Sequence, residues 1–116
     1  MGESSVMSKG PGFAVLYRWK LHEGAEEKFV AAWSRISALL LEQKGSLGSR
    51  LHKGPDGWWY SYAQWPSAET REQAFAGPSA DGEASRQMRE AIAESLPELE
   101  LESVADFMVL PPVRRT

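Results

Sequence analysis

The sequence contains no cysteine, no asparagine and only two histidines among its 116 residues. Without cysteine the chain forms no disulfide and no thiolate metal site, and it has no thiol nucleophile. The same absence agrees with a reducing compartment, so we expect a cytoplasmic protein. The acidic run Glu98, Glu100 and Glu102 has no histidine at metal-ligand spacing, so no metal site is predicted.

Long apolar runs and basic stripes are also missing. No stretch of about 18 apolar residues is present, which argues against a membrane span. The net charge is −3, and no basic stripe suggests nucleic-acid binding. The length suits one domain with one core. We predict a loose N-terminal segment over residues 1–12, a domain over 13–110 and a tail over 111–116.

The apolar pattern switches between strand and helix periods along the chain. Four segments have the period of strands: 13–21, 46–53, 57–66 and 98–110. Helical spacing covers 25–44, a segment capped by Ser67, and a segment from about 81 to 95 that Pro97 is expected to end. The order β-α-β-β-α-β predicts an α+β, ferredoxin-like fold, with a four-stranded antiparallel sheet and the helices on one face.

Two helices cover one face of such a sheet, so the sequence must assign side chains to a covered and an open face. We expect the covered face to hold Phe13, Val15, Tyr17, Trp19, Leu21, Leu47, Leu51, Trp59, Ser61, Ala63, Trp65, Leu99, Leu101, Phe107 and Val109. The open face would hold Leu16, Arg18, Arg50, His52, Trp58, Tyr60, Tyr62, Gln64, Val104, Met108 and Leu110.

The open face is too apolar and aromatic for a monomer in water. Its tyrosine, tryptophan, methionine and arginine residues are types enriched in protein interfaces. We therefore predict a homodimer in which two sheets pack face to face into a barrel with two-fold symmetry.

Several segments together resemble the antibiotic biosynthesis monooxygenase domain of the dimeric α/β-barrel superfamily. They are YRWKLHEG, a helix with Phe29 and Trp33, GSLGSRLHK and YSYAQWPS. The resemblance spans residues 13–110, and its sharpest mark is a tryptophan that ends the third strand before a small polar helix start, Trp65-Pro66-Ser67.

The resemblance implies a ligand pocket between sheet and helices in each subunit. Some members of the family oxidise phenolic polyketides with molecular oxygen and no cofactor, whereas others degrade haem. The haem branch uses an asparagine in the first strand and a histidine after the tryptophan, and this chain has Tyr17 and Phe75 there. Haem degradation of that type is therefore not expected, and no cofactor is predicted. The asparagine described near the substrate in the polyketide branch is missing too.

By that resemblance Trp65 and Tyr17 are the candidate catalytic residues, and Trp19, Trp33, Trp59 and Phe75 the candidate pocket residues. Trp65 either stacks on a flat aromatic substrate and donates its indole N–H, or fills the core beneath the second helix. His52 is either a general base or, with the other polar open-face residues, part of a dimer interface. Arg86 and Arg89 are expected to be solvated, and the acidic run to form a solvated sheet edge.

No nucleophile elbow, Walker loop, dinucleotide fingerprint or zincin motif is present. We therefore expect a cofactor-independent, monooxygenase-like enzyme that binds a small phenolic molecule and favours its anion. One alternative is a non-catalytic dimeric module of the same fold that holds a small hydrophobic ligand. Another is an isomerase or decarboxylase of the same barrel.

Overall fold

Four strands and three helices make up the part of the chain that the structure, a computed structural model, describes: residues 12–109. They are β1 (Phe13–Leu21), α1 (Glu26–Gln43), β2 (Gly48–Lys53), β3 (Trp59–Trp65), α2 (Ala68–Ala74), α3 (Gly82–Ala91) and β4 (Ile92–Glu102). The antiparallel sheet has the order β2-β3-β1-β4. The predicted ferredoxin-like fold is confirmed. The segment predicted for 1–12, except Gly12, and the tail predicted for 111–116 lie outside the described residues, as does Leu110.

The helix ends follow local signals in the sequence. Ser67 caps α2, since its hydroxyl accepts a hydrogen bond from the Thr70 N–H at 3.1 Å. Asp81 caps α3 in the same way, accepting from the Ala84 N–H at 3.0 Å. After α1 the chain turns at Gly45, whose φ of +86° lies in the left-handed region that favours glycine.

The last strand begins earlier than the sequence pattern predicts. We expected a helix to about Ser95 and a strand over 98–110, but α3 ends at Ala91 and β4 already runs from Ile92 to Glu102. Pro97 lies inside this strand and does not end the helix. Because β4 is an edge strand that pairs only with β1, a residue without an N–H is tolerated there.

A β-bulge in β4 changes which side chains share a face. Leu99 pairs with Leu16 and Leu96 with Arg18, so Pro97 and Glu98 together stand opposite the single residue Tyr17. Leu99 and Leu101 therefore lie on the open face, and their predicted place beneath the helices was wrong. Three more predicted inward side chains are exposed and lie outside the strands: Leu47, Phe107 and Val109.

The covered face of β1 and β3 is as predicted, and its buried side chains form two clusters. One joins Trp19, Phe29, Trp59 and Ala91, with Phe29 packed edge-to-face against both indoles at 5.3 and 5.9 Å. The second joins Val15, Ala63 and Trp65 near the other end of β3. Tyr17 packs against both clusters.

Phe29 anchors α1 to the first cluster and is fully buried. Replacing it with alanine should lower the free energy of unfolding by about 3–5 kcal/mol, because the ring's burial is lost and a cavity is left. Leu41→Ala on the exposed side of the same helix should change it by less than about 0.5 kcal/mol. Urea unfolding followed by tryptophan fluorescence measures both, and equal losses would contradict the assigned core.

Candidate functional site

A cavity of about 280 Å³ lies between the sheet and the helices α1 and α3. Its floor is the covered face of β1 and β3, where Ser61 and Ala63 are small enough to leave space. The exposed surface of the lining is mainly apolar, although four serines, Tyr17 and Arg89 contribute to it. The lining consists of Tyr17, Trp19, Trp33, Ile36, Ser37, Leu40, Ser49, Ser61, Ala63, Trp65, Phe75, Ser85, Met88, Arg89 and Ile92. Pockets that bind small molecules usually have such a lining, in which a few polar groups fix the orientation of the ligand.

Trp65 lies in the cavity wall at the end of β3 and is 1% exposed. Its ring meets Phe75 edge-to-face, with 5.9 Å between the ring centroids. The buried indole N–H has no hydrogen-bond acceptor among the described residues. A buried donor without a partner costs about 1–3 kcal/mol. An acceptor on a ligand would remove that cost.

Trp33 provides a contrast, because its indole N–H is already satisfied. It donates to the Ser61 hydroxyl at 3.0 Å, which ties α1 to the sheet floor. Phe75 also lines the cavity but is 50% exposed, so it lies where the cavity meets solvent. The predicted pocket residue Trp59 is not in the wall. It is buried in the cluster around Phe29.

Tyr17 brings a polar group to the cavity wall. Its hydroxyl oxygen accepts a hydrogen bond from Arg71 Nη2 at 2.8 Å, and its ring stacks on Trp19 at 5.5 Å. Burial raises the pKa of the Tyr17 hydroxyl above its ordinary value, although the Arg71 guanidinium acts in the opposite direction. Tyr17 is therefore a neutral phenol at physiological pH.

Arg71, on α2, was not singled out by the sequence interpretation. Its Nη2 donates to Glu98 Oε2 at 2.8 Å as well as to Tyr17, and its Nη1 lies 3.7 Å from Glu100 Oε2. The guanidinium also stands over the rings of Tyr17 and Phe75, at 5.7 and 5.4 Å. The sequence does contain a signal for this position: Arg71 and Phe75 are four residues apart, so they lie on the same face of a helix.

The acidic edge and the arginines of α3 also differ from expectation. Glu98 and Glu100 pair with Arg71 instead of forming a purely solvated edge, because the bulge turns Glu98 toward the covered side. Arg86 is solvated as expected and pairs with Glu83 and Glu90. Arg89, expected to be solvated, is exposed yet also lines the cavity.

The predicted barrel-face residues lie together on the open face. Register pairs Arg18 with Tyr60, Tyr62 with Arg50, and His52 with Tyr60. Arg18 Nη2 donates to the Pro97 carbonyl at 2.9 Å, and Tyr60 donates to Asp56 at 2.6 Å. A separate groove of about 580 Å³ lies beside residues 106–109. Its wall includes Arg50, His52, Tyr62 and Gln64. Trp58 is not part of this wall; the Lys20 ammonium lies over its ring, 5.6 Å from the ring centre.

Residues 12–109 contain neither a cluster of metal-ligating side chains nor a helix that could span a membrane. No three histidine, aspartate or glutamate side chains gather there in an arrangement that could hold a metal ion. Within the same range, none of the helices combines the length and apolar character needed to cross a membrane.

Comparison with solved structures identifies the fold. A candidate antibiotic biosynthesis monooxygenase of Chloroflexus aurantiacus superposes with a TM-score of 0.69 at 16% identity, over 84% of this chain and 97% of that one. Another, from Caulobacter crescentus, gives 0.70 at 15% identity over 82% and 92%. SnoaB, a cofactor-independent oxygenase from Streptomyces nogalater, gives 0.65 at 19% identity over 88% and 99%. The chain has the antibiotic biosynthesis monooxygenase fold.

The likeness lies in structure and not in sequence. No protein-family model matches the chain, and no curated protein is a significant sequence match. At such low identity the antibiotic biosynthesis monooxygenase fold positions a cavity and a sheet face, while the chemistry must be argued from this chain's own side chains.

The pKa of Tyr17 offers a direct test of the site. Replacing Arg71 with methionine should raise that pKa further, since the guanidinium lowers it while Glu98 and Glu100 raise it. Tyrosine-labelled NMR titration measures the change. The pKa of Tyr17 is higher in the folded state than in the unfolded state, so neutral Tyr17 contributes fully to the stability of the fold below about pH 10. This contribution is lost as the pH rises through the raised pKa, because the folded state must then ionise a buried hydroxyl.

Tyr60 is the internal control in the same titration. Its pKa is raised chiefly by the hydrogen bond to Asp56, and Arg71 is not among the causes. Its signal should therefore not move in Arg71→Met. A Tyr17 pKa that stays constant or falls in the variant would contradict the assigned contact.

Proposed function

We propose that this chain is a cofactor-independent, monooxygenase-like enzyme that oxidises a small phenolic molecule in the cavity between sheet and helices. The observation that carries the proposal is the buried, unpartnered indole N–H of Trp65 in the wall of an aromatic cavity that Tyr17 also lines. The fold shared with SnoaB, a cofactor-independent oxygenase, supports it.

The cavity volume limits the size of the substrate. An apolar cavity of about 150 Å³ is large enough for benzene. The space of about 280 Å³ therefore suits an aromatic ligand of about two fused rings. This volume lies just below the usual range for ligand pockets, about 300–1,000 Å³. The opening beside Phe75 would let a longer substrate extend toward solvent.

The reaction uses no external reductant, so the substrate itself must supply the two electrons that reduce the second oxygen atom to water. The phenol gives its proton to solvent as it enters beside Phe75, and the bound phenolate places charge on a ring carbon that still carries hydrogen. That carbon attacks oxygen, and the resulting hydroperoxide loses water to leave a carbonyl. One oxygen atom enters the product and the other leaves as water. The protein's part is to favour the anion and exclude bulk water.

The alternative is a non-catalytic module that holds a small hydrophobic ligand. What favours it is the composition of the described cavity wall, which contains no carboxylate and no imidazole to act as a general base. Under this alternative, Trp65 and Tyr17 would orient a ligand without activating it.

Oxygen uptake with 1-naphthol or anthrone distinguishes the two functions. The folded protein should consume oxygen faster than the same phenol does in buffer alone. One molecule of oxygen should be consumed for each carbonyl group formed. Trp65→Phe and Tyr17→Phe should each reduce kcat by about 100-fold, since each removes a donor to the developing oxyanion. An oxygen electrode and product mass spectrometry measure both quantities.

Trp58→Phe is the matched control, because it changes an indole that lies outside the described cavity wall. It should retain the wild-type rate. Binding of these phenols without accelerated uptake would contradict the enzyme and support the ligand-binding module.

We further propose that the chain forms a homodimer through the open face. Large exposed apolar side chains concentrate after residue 95, on β4 and the segment that follows it. They are Leu96, Leu99, Leu101, Val104, Phe107, Met108 and Val109. Because Leu99 stands opposite Leu16 on the open face, the apolar patch continues onto the middle of the sheet. A second copy of the same face would cover it.

Light scattering after size exclusion at micromolar concentration should give twice the chain mass. Leu99→Lys should shift the mass toward the monomer, because a charge would be buried between the sheets. Leu41→Lys, on the exposed side of α1, should leave the dimer intact. A wild-type chain that is strictly monomeric would exclude the barrel.

A further inference from the structure

We propose that Arg71 is a positioning residue that holds Tyr17 as a hydrogen-bond donor toward a phenolate oxygen in the cavity. The inference rests on the proposed phenolic ligand and adds the residue that prepares the site for its anion. Arg71 is 17% exposed at its side chain and reaches Tyr17 from outside the described cavity wall, so it acts through Tyr17.

The first step of the argument is the direction of the hydrogen bond. A guanidinium can only donate, so the Tyr17 oxygen must be the acceptor at 2.8 Å. The phenolic proton of Tyr17 is therefore not engaged by Arg71, and the hydroxyl can donate it to another acceptor. Tyr17 lines the cavity, where the ligand's oxygen would supply an acceptor.

The second step is the protonation state. Burial keeps the pKa of Tyr17 above its ordinary value despite the guanidinium, so the hydroxyl retains the proton that it would donate. A hydroxyl that accepts a charged hydrogen bond is also a stronger donor, because the two bonds polarise each other. The charged groups that face the Tyr17 hydroxyl are Arg71, Glu98 and Glu100.

The third step is what holds the guanidinium still. The β4 bulge places Glu98 opposite Tyr17, and Glu98 accepts from the same Nη2 that donates to the tyrosine. Glu100 Oε2 lies 3.7 Å from Nη1, the other terminal nitrogen of the guanidinium. The central carbon of the guanidinium also lies 5.7 Å from the centre of the Tyr17 ring and 5.4 Å from that of Phe75. Lysine has neither the fork nor the plane, so it would replace arginine poorly here.

The test uses 4-nitrophenol, whose absorption spectrum reports ionisation while it is bound. In the wild-type protein, the pKa of the bound phenol should lie below that of the free phenol. Tyr17→Phe and Arg71→Met should each reduce the preference for phenolate over phenol by about tenfold, which is about one pH unit. Arg71→Lys should fall between wild type and Arg71→Met.

The double variant Tyr17→Phe/Arg71→Met separates positioning from direct contact. Because Arg71 acts through Tyr17, the double variant should lose no more than Tyr17→Phe alone. Arg86→Met, which removes an exposed and paired arginine from α3, is the matched control and should keep the wild-type shift.

Three results would overturn the inference: no binding of the probe to the folded wild type, an unchanged bound pKa in Arg71→Met, or an additional loss in the double variant. If Arg71→Met does not fold by circular dichroism, Arg71→Lys carries the same comparison. Because the readout needs no turnover, a correct pKa pattern without oxygen uptake would contradict the proposed enzyme while supporting the role of Arg71. Oxygen uptake with an unchanged pKa would do the reverse.

Discussion

The alternation of large and small side chains along β3 is the constraint on which the rest of the structure depends. Trp59 and Trp65 belong to two separate buried clusters, and between them Ser61 and Ala63 present little bulk to the helices. The clusters support α1 and α3 at a distance that the small residues cannot fill, so a cavity remains above the middle of the sheet. The same feature that anchors the core therefore also creates the candidate site.

The polar groups of the site come from elements that are distant in the chain. The hydroxyl of Tyr17 belongs to β1, Arg71 to α2 and Glu98 to the bulge of β4. Strand alternation positions Tyr17, and the Ser67 cap starts the helix that carries Arg71. Glu98 is instead placed by pairing, in the bulge of an edge strand that tolerates proline. Their convergence produces a neutral phenol backed by a guanidinium, an arrangement suited to an oxygen anion.

The two faces of the sheet separate two properties of the molecule. The covered face encloses the cavity, whereas the open face carries an apolar patch that continues onto the segment after β4. Because side chains alternate across a strand, neighbouring residues of β3 contribute to different faces: Trp65 lines the cavity while Gln64 and Tyr62 border the open-face groove. Substitutions one position apart should therefore affect different properties.

The sequence alone determined the order of the elements, the faces of β1 and β3 and the Ser67 cap of α2, because each depends on residues close together in the chain. It placed Trp65, Tyr17 and Trp59 on the covered face of the sheet, but it counted Trp59 among the pocket residues, whereas Trp59 is buried in the cluster around Phe29. Only the tertiary structure decided that β4 starts at Ile92, that its bulge sends Leu99 to the open face, and that Arg71 meets Tyr17 and Glu98. The physical reason is that an edge strand with proline and a contact across 54 residues are set by pairing and packing between distant segments, which local periodicity does not encode.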